Sequence, residues 1–271
     1  MEQHFARPAD AFEMAVRVRS YEVTRSGQIT AATVLRYMEY CATQASASLG
    51  FGSDWYEQND TAWVVRDISL VFGSLPAQGK ELAISTWISS NRRVQAIREY
   101  VIAFEDSGGL VARGQARWAY VDRLRGSPVR IPDHMLQRFG SLGHAMDGND
   151  WHLTDGLETS TEPVVTHTME VTAREYETDS QQHVNNCAYL DWLQEALRLA
   201  ANTMPGQRAQ RIRPVAFRLT YLRPSMPDER FLVVTRLYEG AHHELLCSQT
   251  IQSSDQDRRV VALSRHSASA E

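Results

Sequence analysis

The chain has 271 residues, with 28 Lys+Arg against 33 Asp+Glu for a formal charge of −5, and 43% of it is hydrophobic. This is globular composition, long enough for one large core or two small ones; it excludes an intrinsically disordered chain and gives no basic excess for a dedicated nucleic-acid binder. The three cysteines, Cys41, Cys187 and Cys247, are too few and too far apart for a disulfide-stapled scaffold.

In chain order, the alternation from Ala11 to Val23 predicts a strand, and TRSGQI after it a turn. A helix is expected from about Ala32 to Leu49, with Leu35, Met38, Ala42 and Ala45 at helical spacing and Gly50 as a stop. Strands follow over Ala62 to Gly73 and Glu81 to Ser90, then VQAIREYVIAFE, a hairpin turn at Asp106 to Gly109, and LVARGQARWAYVD. One long helix and then a run of strands is an α+β unit, and no glycine fingerprint for a dinucleotide is present. From Asp122 to Glu162 the pattern weakens, with one short helix expected near Asp133 to Phe139.

The second half restarts the first: a strand in THTMEVTAREYE, a turn in TDSQQHVNN, a helix in CAYLDWLQEALRLAANTM ended by Pro205-Gly206, and four more strands. Tyr21-Glu22 recurs as Tyr176-Glu177, and at the same offset Leu35 meets Leu190 and Tyr37 meets Trp192. At a slightly shorter offset Leu70 meets Leu219, Phe72 meets Tyr221 and Thr86 meets Thr235. The expected organisation is a first domain over 1–125, a linker over 126–164 and a second domain over 165–271. Two such units also have the means to pair sheet edges into one long sheet. The alternative is a single unrepeated α+β domain.

The chemical cluster is Asp179-Ser180-Gln181-Gln182-His183-Val184-Asn185-Asn186, between a strand and a helix start. A carboxylate there suits activation of water or attack on an activated carbonyl, and His183 suits proton transfer. The first N–H groups of the helix, near Val184, Asn185 and Asn186, suit a carbonyl oxygen or an oxyanion. The plainer alternative is that Asp179 and Asn186 cap a turn and a helix while His183 packs. The matching turn of the first half has Thr24 opposite Asp179 and Gln28 opposite His183, so acid–base groups stand in the second half alone.

On these residues the chain resembles the acyl-[acyl-carrier-protein] thioesterases of plants and bacteria, which have a double hotdog fold. The likeness covers WVVRDISLVFGSLPAQGKELAISTWISSNRRVQAIREYVIAFEDSGGLVARGQARWAYVD, then Arg130 to Asp133. In HVNNCAYLDWLQEA it carries His183-Val184-Asn185-Asn186, Tyr189, Trp192 and Glu195 in the family's order and spacing. The resemblance implies an α+β tandem hotdog, each unit a long helix wrapped by a curved antiparallel sheet. It implies hydrolysis of a fatty acyl thioester on acyl carrier protein to free fatty acid and holo-carrier.

By the same resemblance the family's Asp falls on Asp179 and its His on His183, while its Asn falls on Gln181, one methylene longer. Pro224 and Ser225 stand where plant members have Glu and Cys, so a cysteine nucleophile at that place is not available; Cys187 is read as a small buried residue. The expected mechanism has Asp179 activating water or, as the second choice, attacking directly, with His183 and Gln181 orienting substrate or water. The first domain is expected to bind the acyl chain.

No cofactor is expected, since the carrier brings its own phosphopantetheine, and no metal. The partners are acyl carrier protein and the acyl chain, with no nucleic acid and no membrane span, and the assembly is a monomer or homodimer. The first twenty residues hold no export-type apolar stretch, which with unpaired cysteines leads to the expectation of a cytoplasmic protein. Competing functions are an acyl-CoA or polyketide-type thioesterase, a noncatalytic acyl-binding protein, or a dehydratase-like relative.

Carrier proteins are acidic, so Arg92-Arg93 with Arg98, or Arg208, Arg211 and Arg213, are candidates for steering a carrier, against the plain reading of solvated faces. His242-His243, His167 and His266 are read as structural, because adjacent strand residues face opposite sides. Met38, Trp63, Trp87, Phe104 and Trp118 are core or acyl-channel residues.

Overall fold

The computed structural model describes residues 7–143, 162–204, 212–240 and 244–268. Pro205-Gly206, Arg208, Arg211 and His242-His243 lie outside the described residues. The chain divides into two compact units, residues 1–148 and 149–271.

The first unit contains strands β1 (Phe12–Arg17), β2 (Thr61–Phe72), β3 (Glu81–Arg92), β4 (Gln95–Phe104) and β5 (Leu110–Asp122), and helices α1 (Ala31–Ser48), α2 (Ser53–Gln58) and α3 (Asp133–Phe139). Its strands run antiparallel in the order β1-β3-β4-β5-β2. The Thr30 side chain accepts the Thr33 N–H at 3.1 Å and so starts α1. Leu35, Met38 and Ala45 of the predicted stripe are buried with Cys41 beside them, while Ala42 is half-buried. Close approach of helix and sheet depends on Gly114, where a Cβ would lie 2.8 Å from Met38 Cε and 2.9 Å from the Ser69 carbonyl oxygen. α3 is where the sequence places it, and it packs with Phe51, Tyr120 and Ile131 around Met135. α2 escapes the sequence reading; it is six residues long and adds Trp55 and Tyr56 to that cluster.

The first unit departs from the sequence expectation at two places. The strand expected from Ala11 to Val23 stops at Arg17, because Glu22 closes a 3-10 turn by accepting the Arg19 N–H and the Tyr37 hydroxyl, each at 2.7 Å. Arg98 does not join a surface patch with Arg92-Arg93: it is 7% exposed, with Nη1 3.4 Å from Thr86 Oγ1 and its guanidinium 5.9 Å from the Phe139 ring centre. Its register opposite Ile88 and Ala116, both buried, sets it on the inner face.

The second unit contains β6 (Val165–Thr172), α4 (Asn186–Asn202), β7 (Ile212–Tyr221), β8 (Arg230–Glu239), β9 (Glu244–Gln252) and β10 (Arg258–Ala268). The antiparallel order β6-β8-β9-β10-β7 repeats that of the first unit element for element. Leu197, Ala200 and Ala201 of α4 pack on Leu237, Leu245 and Cys247 of the sheet. Gln249 is tied in by bonds from Nε2 to the Leu193 carbonyl at 2.8 Å and to Thr235 Oγ1 at 2.9 Å. His266 is buried with Nε2 2.8 Å from Ser264 Oγ, and all three cysteines are buried and outside any disulfide. Two α+β units of this kind are the tandem hotdog expected from the sequence. Among the described residues no helix is long and apolar enough to cross a membrane.

Candidate active site

The chemistry-bearing turn of the second unit hangs on Glu177, the last residue of a 3-10 turn over Glu175–Glu177. One carboxylate oxygen accepts the Arg174 N–H at 2.8 Å, the other accepts the Trp192 indole N–H at 2.9 Å, and its carbonyl accepts the Asn185 N–H at 2.8 Å. The sequence pairs Glu177 with Glu22 and Trp192 with Tyr37, but the bond joining each pair appears only in the fold, where Tyr37 reaches Glu22 in the same manner. Burial and that carboxylate together raise the Tyr37 phenol above its ordinary range.

From there the chain makes a tight loop. The Asp179 N–H donates to the His183 carbonyl and the Gln182 N–H to the Asp179 carbonyl, both at 2.9 Å. Asp179 Oδ1 accepts the Gln181 N–H at 2.8 Å, which orients the carboxylate and leaves Oδ2 without a partner among the described residues. Gln182 holds φ +63°, a left-handed conformation that the first unit gives to Gly27 at φ +76°. Asp179, Gln181 and His183 are all half-buried, so the loop collects the three predicted side chains on one turn with access to solvent.

The helix start departs from expectation. The Val184 N–H donates to the Ser225 carbonyl at 2.9 Å and the Asn185 N–H to Glu177 at 2.8 Å, so two of the three predicted carbonyl donors are already engaged. Asn185 is the N-cap of α4, its Oδ1 accepting the Cys187 N–H at 2.8 Å. The Asn186 N–H has no acceptor among the described residues, and Asn186 Nδ2 is buried without one. Asn186 is positioned by its carbonyl, which accepts the Tyr221 hydroxyl at 3.1 Å. Ser225, fully buried, thus serves the turn through its backbone, while Pro224 is exposed. Burial raises the Tyr189 phenol, and Ser225 partly offsets that rise.

The first unit builds the same loop with other side chains. Thr24 N–H donates to the Gln28 carbonyl at 3.0 Å, Gly27 N–H to Thr24 at 2.8 Å, and Ile29 N–H to Pro76 at 3.1 Å. Thr24 and Gln28 occupy the places of Asp179 and His183, and the Gln28 side chain is turned to the Leu75 carbonyl at 2.9 Å. Of the predicted histidines, His266 is core and His167 lies half-buried on β6.

Two family models match the chain: the acyl-ACP thioesterase N-terminal domain over residues 9–139 and the C-terminal domain over 161–263. Among curated proteins the chain is 23% identical over 257 residues to the chloroplastic acyl-[acyl-carrier-protein] hydrolase FATB3 of Cuphea viscosissima, covering 88% of this chain and 61% of that protein. The chain spans about half the length of the curated relatives it matches, from 45% to 61% of the Cuphea proteins. Among solved structures, a Lactobacillus plantarum protein described as an oleoyl thioesterase aligns with a TM-score of 0.80 at 18% identity, covering 97% of this chain and 99% of that one. The 12:0-ACP thioesterase from Umbellularia californica aligns at 0.78 and 20% identity, covering 96% and 94%. These structural likenesses establish a shared fold.

Proposed function

The chain belongs to the acyl-ACP thioesterase family, and from that membership we propose that it hydrolyses a fatty acyl thioester on acyl carrier protein, releasing free fatty acid and holo-carrier in the course of fatty acid synthesis. The observation that carries this reading is the contrast within one repeated loop: three corresponding backbone bonds close it in both units, and the second alone fills it with a carboxylate and an imidazole.

In this mechanism Asp179 Oδ2 takes a proton from water, and the resulting hydroxide adds to the thioester carbon. The oxyanion is met by the Asn186 N–H at the positive end of the 17-residue helix α4, and by His183. The C–S bond then breaks, the electron pair leaving on the pantetheine sulfur, which receives the proton that Asp179 took from the water. Gln181 orients the water from the same loop. The first unit, with Thr24 and Gln28 in those places, binds the acyl chain and performs no acid–base step. Cysteines that form no disulfide fit a reducing compartment, which we take to be the cytoplasm.

The test is parallel turnover of matched acyl-ACP and acyl-CoA, read by thiol release and by mass of the freed acid. The expected result is a higher kcat/KM on the carrier. Faster hydrolysis of acyl-CoA would remove the carrier assignment, and inertness toward both would remove the hydrolase.

A further inference from the structure

One edge of the first unit is basic in a chain of net charge −5. It is built from the β3–β4 turn with Arg92 and Arg93, the turn after β5 with Arg123, Leu124 and Arg125, and the extended segment through Arg130. Backbone bonds hold the three together: Tyr120 N–H to the Val94 carbonyl at 2.8 Å, Val129 N–H to Tyr120 at 2.9 Å, and Ile131 N–H to Arg93 at 2.7 Å. All five arginines are exposed. Arg130 is paired with Asp133 at 2.8 Å. Asp122 is spent on the turn itself, Oδ1 accepting the Leu124 and Arg125 N–H groups at 2.9 and 2.8 Å. Arg92, Arg93, Arg123 and Arg125 have no acidic partner among the described residues.

Two features set this edge apart from an ordinary solvated face. Arg93 sits at φ +31°, on the positive side where glycine or asparagine would be cheaper, so the long cationic side chain is kept at a conformational cost. Leu124 is 83% exposed, the most exposed large apolar side chain among the described residues, and it projects from a turn that Asp122 makes rigid, with an arginine on either side.

We propose that this edge is the docking surface for the acidic face of the acyl carrier protein, with the four arginines meeting carboxylates and Leu124 seated in a small apolar contact among them. The inference rests on the carrier-borne substrate proposed above. Charge of this kind acts on encounter and affinity, leaving the bond-breaking step alone.

The test compares acyl-ACP with the same acyl group on N-acetylcysteamine, which has the thioester without the carrier. Each exposed pair contributes a few-fold in affinity, so Arg123→Glu with Arg125→Glu is expected to raise KM for acyl-ACP about 10-fold or more at low salt, with kcat little changed. Hydrolysis of the small thioester should be unaffected, and the gap between variant and parent should close as salt rises. Arg93→Gly serves as the control for folding, because glycine relieves the backbone: it should melt no lower than the parent and still raise the carrier KM. Unchanged carrier kinetics in both variants, or equal loss on both substrates, would overturn the docking surface. A parent that cleaves the small thioester but ignores acyl-ACP would instead overturn the carrier assignment itself.

Discussion

Asp179 and Thr24 occupy the same position of a duplicated loop: the N–H of each donates to the carbonyl four residues on, at 2.9 Å to His183 and at 3.0 Å to Gln28. Because the scaffold is common to both, the side chain can be tested apart from the fold. Asp179→Asn keeps an oxygen to accept the Gln181 N–H, so the loop survives while the base is lost. Turnover is expected to fall about 10²–10⁴-fold with the melting temperature nearly unchanged. Thr24→Val should leave kcat as it is. Steady-state kinetics beside a thermal melt decide the matter, and an active Asp179→Asn variant places the chemistry elsewhere.

The Glu177–Trp192 bond anchors this loop to α4, as Glu22–Tyr37 anchors its counterpart to α1. Removing a donor from a carboxylate in a partly buried setting costs about 1–3 kcal/mol. Trp192→Phe and Tyr37→Phe should each lower stability by that order in urea unfolding. Turnover separates them: a loosened Glu177 frees the Asn185 N–H it holds, so kcat should drop for Trp192→Phe and hold for Tyr37→Phe. Equal effects on kcat would mean that the loop position does not matter for catalysis.

Local signals carried much of this into the sequence. The stripe Leu35, Met38, Ala42 and Ala45 marks α1, and the repeat of Tyr21-Glu22 as Tyr176-Glu177 aligns Thr24 with Asp179. What stayed hidden depends on partners distant along the chain. The Val184 N–H looks available at a helix start until Ser225, beyond β7, is folded against it. Arg98 reads as surface by its charge, yet strand register between Ile88 and Ala116 carries it inward. Helix α2 is too short for periodicity to register, and its stability comes from where Trp55 and Tyr56 are packed.

A cysteine nucleophile is the chemistry this fold argues against most directly. Burial pushes the Cys41 and Cys247 thiols up to about 12, so almost none of either is thiolate at neutral pH, and Cys187 is 1% exposed. Iodoacetamide at pH 7.5 is therefore expected to leave both the intact mass and the turnover unchanged, with alkylation of all three only after denaturant is added. Rapid inactivation with a single adduct would bring a thiol into the mechanism.

His266 should make the second unit sensitive to acid. Its ring is buried against Phe217 with Nε2 on Ser264 Oγ, and desolvation lowers its pKa to about 3 from the ordinary 6.5. The native state thus holds a neutral imidazole over a range where the unfolded chain binds a proton. Above pH 6.5 both states are neutral and the residue adds no pH dependence. As pH falls below 6.5 the unfolded state gains a proton that the native state refuses, and stability drops by about 1.4 kcal/mol per pH unit until protonation near pH 3. Urea unfolding at pH 7.5 and pH 5.5 should differ by roughly that one-unit amount for the parent. The difference should shrink in His266→Gln, which keeps a polar side chain near Ser264 but has nothing to titrate. A parent and variant with the same slope over that interval would mean that the folded imidazole takes up its proton as the unfolded one does, and that burial does not hold it neutral.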